Sequence, residues 1–385
     1  MSQVTLDAER QKQAKAYARI QRQLLVVDVA LGGVYAIAWL LLGGAAALKA
    51  ALVRLIPGGN EWLLVAGFGA VFGGVYYLLD LPLAYYSGFI LPHRFGLATQ
   101  KLAGWMGDQV KSLLLGAGVG GAILEIIYAL LRAAPDTWWL GVGGILLLFN
   151  VVLTNLTPVL VLPIFWKFVP LSEEHAELAG RLVRLAERAN TRVRGVFRFD
   201  MSRRTKAANA ALVGLGNTRR IILGDTLLAE FTPDEIETVL AHELGHHVNR
   251  DIPLGILVGS VVTLGGLYLA ALGLRWGAAA FGFAGPADVA ALPVLALVMG
   301  AYGLVTMPLG NAYSRWRERR ADEYALRATG NGAAYTSALT RLANQNLSDA
   351  DPEPWVEFLL YSHPALGKRI AMAQRQVSGI GDWAK

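Results

Sequence analysis

The sequence predicts an all-α membrane bundle that carries a small α+β portion on its connecting segments. The chain of 385 residues is 54% hydrophobic and only 17% charged, which is too apolar for an ordinary soluble protein of this length. Six stretches reach or approach the roughly 20 apolar residues that cross about 30 Å of hydrocarbon as a helix. A polar block with both helix and strand patterns separates the fourth stretch from the fifth.

The six apolar stretches define the predicted organisation of the chain. They cover residues 24–46, 62–88, 113–131, 138–163, 253–274 and 290–308. Short connections predict that the third and fourth stretches form an antiparallel hairpin, and that the fifth and sixth do the same. We therefore expect an N-terminal segment at 1–23, a four-span region at 24–163, a polar block at 164–252, a two-span hairpin at 253–308 and a second polar block at 309–385.

The distribution of basic residues predicts the orientation in the membrane. If the N-terminus is cytoplasmic, the connections on the opposite side hold only four of the 35 basic residues, as the positive-inside rule requires. These four are Lys49, Arg54, Arg132 and Arg275. Because the richness in Ala, Gly, Leu and Arg is typical of a high-GC bacterial source, we expect a bacterial inner-membrane protein with both termini and both polar blocks in the cytoplasm.

Composition also excludes some classes of site and partner. The chain has no cysteine, so disulfides, thiolate nucleophiles and cysteine-ligated metal sites are excluded. The formal charge of +6 comes from basic residues spread over the connecting segments. Since no single basic domain concentrates them, we expect the lipid bilayer as a partner and no nucleic acid.

A clearly delimited helix in the first polar block carries the motif His-Glu-Leu-Gly-His-His at residues 242–247. Thr232 as N-cap, Pro233 at the first helical position and Glu235 three residues after the cap predict where this helix begins. Other patterns in the block predict a helix at 173–190, a strand at 196–201 and a hairpin within 208–224.

The motif is typical of a zinc hydrolase. His242 and His246 stand four residues apart, so that one face of the helix can direct both imidazoles at one Zn²⁺ ion, with Glu243 beside the remaining coordination position. In such enzymes the glutamate takes the proton of the attacking water. His247 points about 100° away from His246, and we expect it behind the ligands or on the surface.

The third metal ligand must come from another part of the chain. The remaining histidines are His93, His175 and His363. The acids in "NAYSRWRERRADEYALRA" are the most suggestive, because Glu318 and Asp322 are four apart on a predicted helix, where one can bind the metal while the other accepts an imidazole N–H. The alternative is a solvated helix with Arg–Glu pairs.

With these residues the chain resembles the CAAX prenyl protease 1 family of integral-membrane zinc endopeptidases, as a bacterial-type homologue. "HELGHH", a pair of spans and then "SRWRERRADEYA" match the family pattern that ends in E-x-x-A-D. Further similar pieces follow in the same order: "LPLAYYSGFILPHRFGLATQ", "LPIFWKFVPL", "NAALVGLGNTRRIILGDTLL" and "SHPALGKRI". The similarity runs from about residue 75 to the end.

The resemblance implies a role for each candidate residue of a zincin-like, gluzincin-type catalytic portion. Zinc would be held by His242, His246 and Glu318, with Glu243 as the base and Asp322 as the partner of a ligand histidine. "NAALVG" would be the edge strand that pairs with the substrate peptide through Asn209 and Ala210. His363 and Arg369 would be the C-terminal pair that stabilises an oxyanion or a substrate carboxylate.

The resemblance also implies that the helices enclose a hydrated chamber. Polar residues inside the predicted spans are costly in lipid unless they face a partner or water, and they are candidates to line it: Asp28, Asp80, Glu125, Asn150 and Asn155. The sequence departs from the family pattern in two respects. One early helix of the seven-span eukaryotic members is expected to be missing, and His93 stands where the family usually has an acidic residue.

We therefore expect an enzyme that hydrolyses peptide bonds near the C-terminus of membrane-associated or prenylated, CAAX-type substrates. One alternative with the same chemistry is a bacterial-type membrane quality-control protease of broad specificity, which shares the HExxH motif and a downstream glutamate but usually has fewer spans. An alternative of another class is a non-proteolytic membrane scaffold with a vestigial zinc site. The complete set of ligands and base disfavours that alternative, because a decaying site should lose one of them first.

Overall fold

The computed structural model describes residues 4–214 and 216–377, which are mainly helical. We number the α-helices in chain order: α1 Ala8–Leu41, α2 Gly44–Leu55, α3 Glu61–Tyr85, α4 Leu91–Arg94, α5 Leu102–Ala133, α6 Trp138–Leu156, α7 Leu162–Phe165, α8 Ala176–Arg188, α9 Asp225–Glu230, α10 Pro233–Val248, α11 Asp251–Phe281, α12 Leu292–Thr329, α13 Gly332–Gln345, α14 Pro354–Leu360 and α15 Leu366–Val377. The strands are β1 Phe168–Pro170, β2 Val196–Phe199, β3 Ala210–Val213 and β4 Arg220–Gly224.

Six of the described helical segments are long and apolar enough to cross a membrane, which confirms the predicted bundle. Two of them change pitch near their ends: a π-helical turn at Tyr86–Ile90 joins α3 to α4, and another at Thr157–Val161 joins α6 to α7. The helices extend beyond the predicted apolar stretches. For example, α1 begins at Ala8 because Asp7 caps it by accepting a 2.8 Å hydrogen bond from the Arg10 N–H.

The connecting segments gather at two ends of the bundle, as an even number of spans requires. Connections that were predicted to share one side are joined by ion pairs: Lys49–Asp288 at 2.6 Å, Arg132–Glu61 at 3.6 Å and Arg275–Asp136 at 2.8 Å. At the other end, the N–H of Asp7 donates to Asn344 at 3.0 Å, and the N–H of Thr99 donates to the carbonyl of Arg204 at 3.0 Å. The N-terminus, an early loop and both polar blocks therefore meet on one side.

The two helices of the membrane hairpin, α11 and α12, pack tightly because glycines of α11 face α12. A Cβ added to Gly273 of α11 would lie 2.5 Å from the side chain of Val298 on α12, and one added to Gly277 would lie 2.8 Å from Val294. Glycines at such contacts let two membrane helices approach closely. This close packing fixes α12, which continues out of the apolar region toward the polar blocks.

A four-stranded sheet and four helices form a hydrophobic core that joins the two polar blocks. The strand order is β1-β2-β4-β3, with β2 parallel to β4 and the other pairs antiparallel. The predicted hairpin is present as β3 and β4, whose register pairs Ala210 with Leu223, and β3 lies at the edge of the sheet. Apolar residues from the sheet and from α8, α10, α13 and α15 are buried together: Leu182, Ile221, Leu223, Leu240, Leu339 and Ala373.

Candidate metal centre

Helix α10 presents the two histidines, and its start is fixed by a capping box. The Thr232 hydroxyl accepts from the Glu235 N–H at 3.3 Å, and the Glu235 carboxylate accepts from the Thr232 N–H at 2.7 Å. Arg341 of α13 and Ser337 also donate to the buried Glu235 carboxylate, at 2.8 and 2.5 Å. The beginning of α10 is thereby tied to the second polar block.

Helix α12 crosses α10 at the glycine of the motif. A Cβ added to Gly245 would lie 2.8 Å from Cα and 3.0 Å from the carbonyl oxygen of Ala321. These atoms belong to the backbone and cannot rotate away, so that only glycine permits this approach. The crossing brings Glu318, three residues before Ala321, opposite both histidines.

Two imidazoles and one carboxylate converge at this crossing. Nε2 of His242 lies 3.2 Å from Oε2 of Glu318, and Nε2 of His246 lies 3.3 Å from Oε1 of the same carboxylate. The three candidate ligand atoms all lie within 4.8 Å of one another. Oε2 of Glu318 is buried, and despite this contact with His242 it has no partner with hydrogen-bond geometry among the described residues, as expected of an oxygen that can bind a cation. The donors fit a divalent metal ion.

Each histidine is oriented by a second carboxylate. Nδ1 of His242 lies 2.8 Å from Oδ1 of the fully buried Asp322, and Nδ1 of His246 lies 2.8 Å from Oδ2 of Asp251. A carboxylate at Nδ1 fixes the tautomer that leaves Nε2 free for a metal. The structure thus brings together the predicted set of His242, His246, Glu318 and Asp322, and it adds Asp251.

Asp251 reaches its histidine because the chain breaks its helical course. Arg250 adopts the left-handed conformation with φ of 55°, which separates α10 from α11. Asp251, the first residue of α11, then turns back toward His246 and is 2% exposed. Sequence reasoning missed this residue, although an acid directly before a long apolar run was an available signal.

A buried network holds Asp322 from behind. Arg369 of α15 donates to both of its carboxylate oxygens, at 2.6 and 2.9 Å, and the Tyr335 hydroxyl of α13 donates to Oδ1 at 2.5 Å. Nε and one terminal nitrogen of the Arg369 guanidinium are thus engaged with Asp322, and the predicted oxyanion role of Arg369 stays a prediction. Tyr335 had no signal in the sequence.

His363 does approach the metal ligands. Its Nε2 lies 3.3 Å from Oε1 of Glu318, while its side chain remains 58% exposed. An imidazole in this position can face both the ligand set and an incoming substrate. Its partner in the predicted pair, Arg369, lies on the buried side of the same centre.

Glu243 lies between the metal ligands and the edge strand. The backbone N–H of Leu212 in β3 faces its carboxylate. Burial raises the pKa of Glu243, and the neighbouring His242 and His246 and the same N–H oppose that shift. A pKa above its ordinary range suits a carboxylate that must accept a proton near neutral pH. Asn209, just before β3, is exposed, whereas Ala210 is buried.

Burial and charge have opposite effects on the ligand histidine. Burial alone would lower the pKa of His242, but the carboxylates of Asp322 and Glu318 outweigh it and raise the pKa to about 9. The centre therefore has a strong preference for positive charge. That preference is what a metal site built from two carboxylates and two imidazoles should show.

The other histidines lie outside the ligand cluster. His93 bridges the carbonyls of Phe89 and Gln100, at 2.6 and 2.9 Å, which gives it a structural part in its loop. His175 ends a short turn before α8. His247 lines a separate cavity with Arg219, and burial, followed by the charge of Arg219, lowers its pKa.

The polar residues inside the spans differ in their partners. Asp28 accepts from the Tyr76 hydroxyl at 3.2 Å, and Asn155 donates to the carbonyl of Val151 at 3.1 Å. Asn150 accepts from the Thr154 hydroxyl, and the buried carboxylate oxygens of Glu125 have no hydrogen-bond partner within residues 4–214 and 216–377. The hydrated chamber stays a prediction.

A helical membrane bundle whose returning helix adds a glutamate to an H-E-x-x-H helix defines a membrane metalloendopeptidase. Residues 172–377 match peptidase family M48, and residues 2–167 match the family described as CAAX prenyl protease N-terminal, five membrane helices. The chain belongs to peptidase family M48 and, within it, to the CAAX prenyl protease 1 family.

Similar proteins support this assignment. The chain is 29% identical to "Uncharacterized metalloprotease YhfN" of Bacillus subtilis, over 94% of this chain and 85% of that protein. It is 31% identical to CAAX prenyl protease 1 of Saccharomyces cerevisiae, over 76% of this chain and 68% of that protein. The crystal structure of S. mikatae Ste24p has the same fold, with a TM-score of 0.85 at 24% identity over 97% of this chain and 92% of that one.

The comparison bears on the early helix that the sequence lacks. Within residues 2–167 the structure has four helical segments long enough to span, together with the 12-residue α2 between the first and second. At 1.5 Å per residue α2 is ~18 Å long, short of a bilayer core. The matching family is described with five membrane helices, one more than the spanning segments that the structure describes in this part of the chain.

Proposed function

We propose that this metalloendopeptidase holds zinc and cleaves peptide bonds near the C-terminus of membrane-associated substrates. The observation that carries the proposal is the approach of Glu318, from the returning helix α12, to both histidines of α10. His242, His246 and Glu318 would hold the ion, since imidazole nitrogens and a carboxylate are the donors of catalytic zinc sites. The buried Oε2 of Glu318, which has no partner with hydrogen-bond geometry within the described ranges, fits this role.

In this mechanism residues of the chain transfer the proton of the attacking water and keep the histidine rings aligned. Bound zinc would supply Lewis acidity toward a carbonyl and acidify water. Glu243 takes the proton of the attacking water at its carboxylate and passes it to the leaving amine. The Leu212 N–H faces that carboxylate. Asp322 and Asp251 hold Nδ1 of the two histidines protonated and the rings fixed.

The exposed His363 is the group best placed to stabilise developing negative charge. Its ring lies beside the ligand carboxylate and faces solvent, so that an N–H can be directed at a substrate oxygen. Arg369 serves this step indirectly by holding Asp322. We thus assign His363 to direct contact with the reacting group and Arg369 to positioning.

The substrate peptide would lie along β3 as an added strand. This strand is at the sheet edge, next to Glu243. Backbone hydrogen bonds from an edge strand hold an extended peptide without reading its side chains. Asn209 and Ala210 are the positions that we assign to this pairing.

The substrate class and the orientation follow from the relatives and from charge. The relatives named CAAX prenyl protease 1 favour lipidated substrates with a C-terminal cleavage site. Because four of the 35 basic residues fall on the far side, we place both termini and both catalytic portions, 164–252 and 309–385, in the cytoplasm of a bacterial cell.

The test uses purified full-length protein in proteoliposomes and two peptides that differ only in a prenyl group. We expect stoichiometric zinc, faster cleavage of the prenylated peptide, and loss of cleavage with retained zinc in Glu243→Gln. Glu318→Ala should lose zinc. Cleavage by Glu243→Gln would refute the mechanism, and equal rates on both peptides would instead favour a protease of broad specificity.

A further inference from the structure

A cavity of about 370 Å³ opens where α10 ends and the fifth membrane helix begins. It is lined by Arg219, His247, Arg250, Ile252, Pro253 and Ile256; we refer to it as the interfacial pocket. The side chains of Arg219, His247 and Arg250, which we call the basic wall, line it together with the first apolar residues of α11, and its exposed surface is mainly apolar. The pocket is separate from the metal ligands, because His247 points away from the side of α10 that carries them.

Aromatic and basic residues of α12 beside this pocket indicate the level of the membrane surface. On α12 the rings of Tyr313 and Trp316 stack, and Arg320 lies 4.6 Å from the Trp316 ring. Aromatic residues with cationic neighbours collect where hydrocarbon meets headgroups. Arg320 donates to Asn249 at 3.0 Å, and Arg317 donates to the Asp251 carbonyl at 3.2 Å. The aromatic pair is therefore close to the level at which α10 ends.

The basic wall of the pocket has no acidic partner. In the part of the chain that the structure describes, neither the Arg219 nor the Arg250 guanidinium forms an ion pair. Arg250 is exposed, and Arg219 and His247 are partly exposed. Exposed apolar residues continue down α11 from the pocket: Leu254, Leu257, Val258 and Val261. A molecule with an anionic head and an apolar tail matches this arrangement, in which basic groups are followed by exposed apolar residues.

We propose that the interfacial pocket binds the phosphate of an anionic phospholipid headgroup, in the leaflet that faces the catalytic portions. The two guanidiniums donate to the phosphate oxygens, and the acyl chains lie along the exposed apolar face of α11. The bound lipid contacts His247, the residue after ligand His246. The pocket thus joins the headgroup layer to the catalytic helix.

The test measures lipid binding by the full chain in detergent. Labelled phosphatidylglycerol and phosphatidylcholine with identical acyl chains are titrated against the native protein, Arg219→Gln/Arg250→Gln, and the control Arg184→Gln/Arg327→Gln. The control removes the same charge from exposed positions on α8 and α12. Because each basic residue at a membrane surface contributes about fivefold, we expect native and control proteins to prefer phosphatidylglycerol by roughly tenfold or more, and the pocket variant to lose this preference.

The outcomes that overturn the proposal are defined in advance. Equal affinity of the pocket variant and the native protein for phosphatidylglycerol would do so, as would equal affinity of the native protein for both lipids. Inorganic phosphate that displaces the lipid at equal concentration would assign the pocket to free anions instead. If the double variant fails to fold, Arg250→Gln alone is used, since its side chain is exposed, and it should weaken binding about fivefold.

Discussion

Oδ2 of Asp251, at the first position of a membrane helix, lies 2.8 Å from Nδ1 of the ligand His246. The membrane hairpin therefore touches the metal centre at both of its ends, because Glu318 belongs to the helix that leaves the hairpin. Replacing Asp251 with Asn should lower metal affinity by ~10–100-fold, the usual effect of losing such a partner. Competition with a chelator measures this, and Asp234→Asn, at the exposed start of α10, should leave the affinity unchanged.

Gly245→Ala should disturb the metal centre without altering a ligand. The added Cβ would meet backbone atoms of Ala321 at 2.8 and 3.0 Å, so the two helices must separate, at a cost of about 1–3 kcal/mol in unfolding free energy. Metal affinity should fall with it. Gly259→Ala is the control, since a Cβ there meets nothing within 4 Å; equal behaviour of the two variants would contradict the tight crossing.

Tyr335→Phe should destabilise the network behind Asp322. The lost hydroxyl donates to Asp322 at 2.5 Å and accepts from Arg369 at 3.1 Å. Because the buried Asp322 and Arg369 each lose a hydrogen-bond partner, the free energy of unfolding should fall by about 1–3 kcal/mol. Thermal unfolding in detergent measures this change. Tyr324→Phe, at a partly buried position on α12, should change the midpoint little. If the Tyr335→Phe variant is as stable as the native protein, the Tyr335 hydroxyl does not contribute to the stability of this network.

Stability should fall in acid through Glu235. Burial alone would raise the pKa of Glu235, but hydrogen bonds from Ser337, the Thr232 N–H and Arg341 outweigh it and hold the pKa below its ordinary value of 4.5. A carboxyl whose pKa is lower in the folded state stabilises the fold above its unfolded pKa, and this contribution is lost as the pH falls through the folded pKa.

The measurement compares unfolding midpoints at about pH 7 and at values well below 4.5. Glu235→Gln should be less stable near neutral pH by about 1–2 kcal/mol and should show a shallower decline in acid than the native protein. Glu230→Gln, at the exposed end of α9, is the matched control. Parallel acid profiles for native protein and Glu235→Gln would exclude this carboxyl as a source of the acid sensitivity.

Local patterns predicted much of this molecule. The spans, the capped helix of His242 and His246, and the hairpin of β3 and β4 depend on periodicity and turn signals within short windows, and all are present. The pairing of Glu318 with the histidines was accessible because both halves carry their own spacing pattern. Such features are encoded by residues close in sequence.

Contacts that depend on docking were not accessible. Tyr335 and Arg369 reach Asp322 only because α13 and α15 pack beside α12. The position of Asp251 depends on the left-handed Arg250, and arginine gives no warning of that conformation. These residues carry no spacing signal, since their partners come from separate elements.

The hairpin that separates the two halves of the metal centre also sets an order of events during synthesis. The first two ligands leave the ribosome before α11 and α12, whereas Glu318 follows only after the sixth crossing of the bilayer. A nascent chain that has not completed its insertion lacks the third ligand. If Glu318 is the third ligand, as we propose, peptide cleavage can begin only after the sixth helix has entered the membrane.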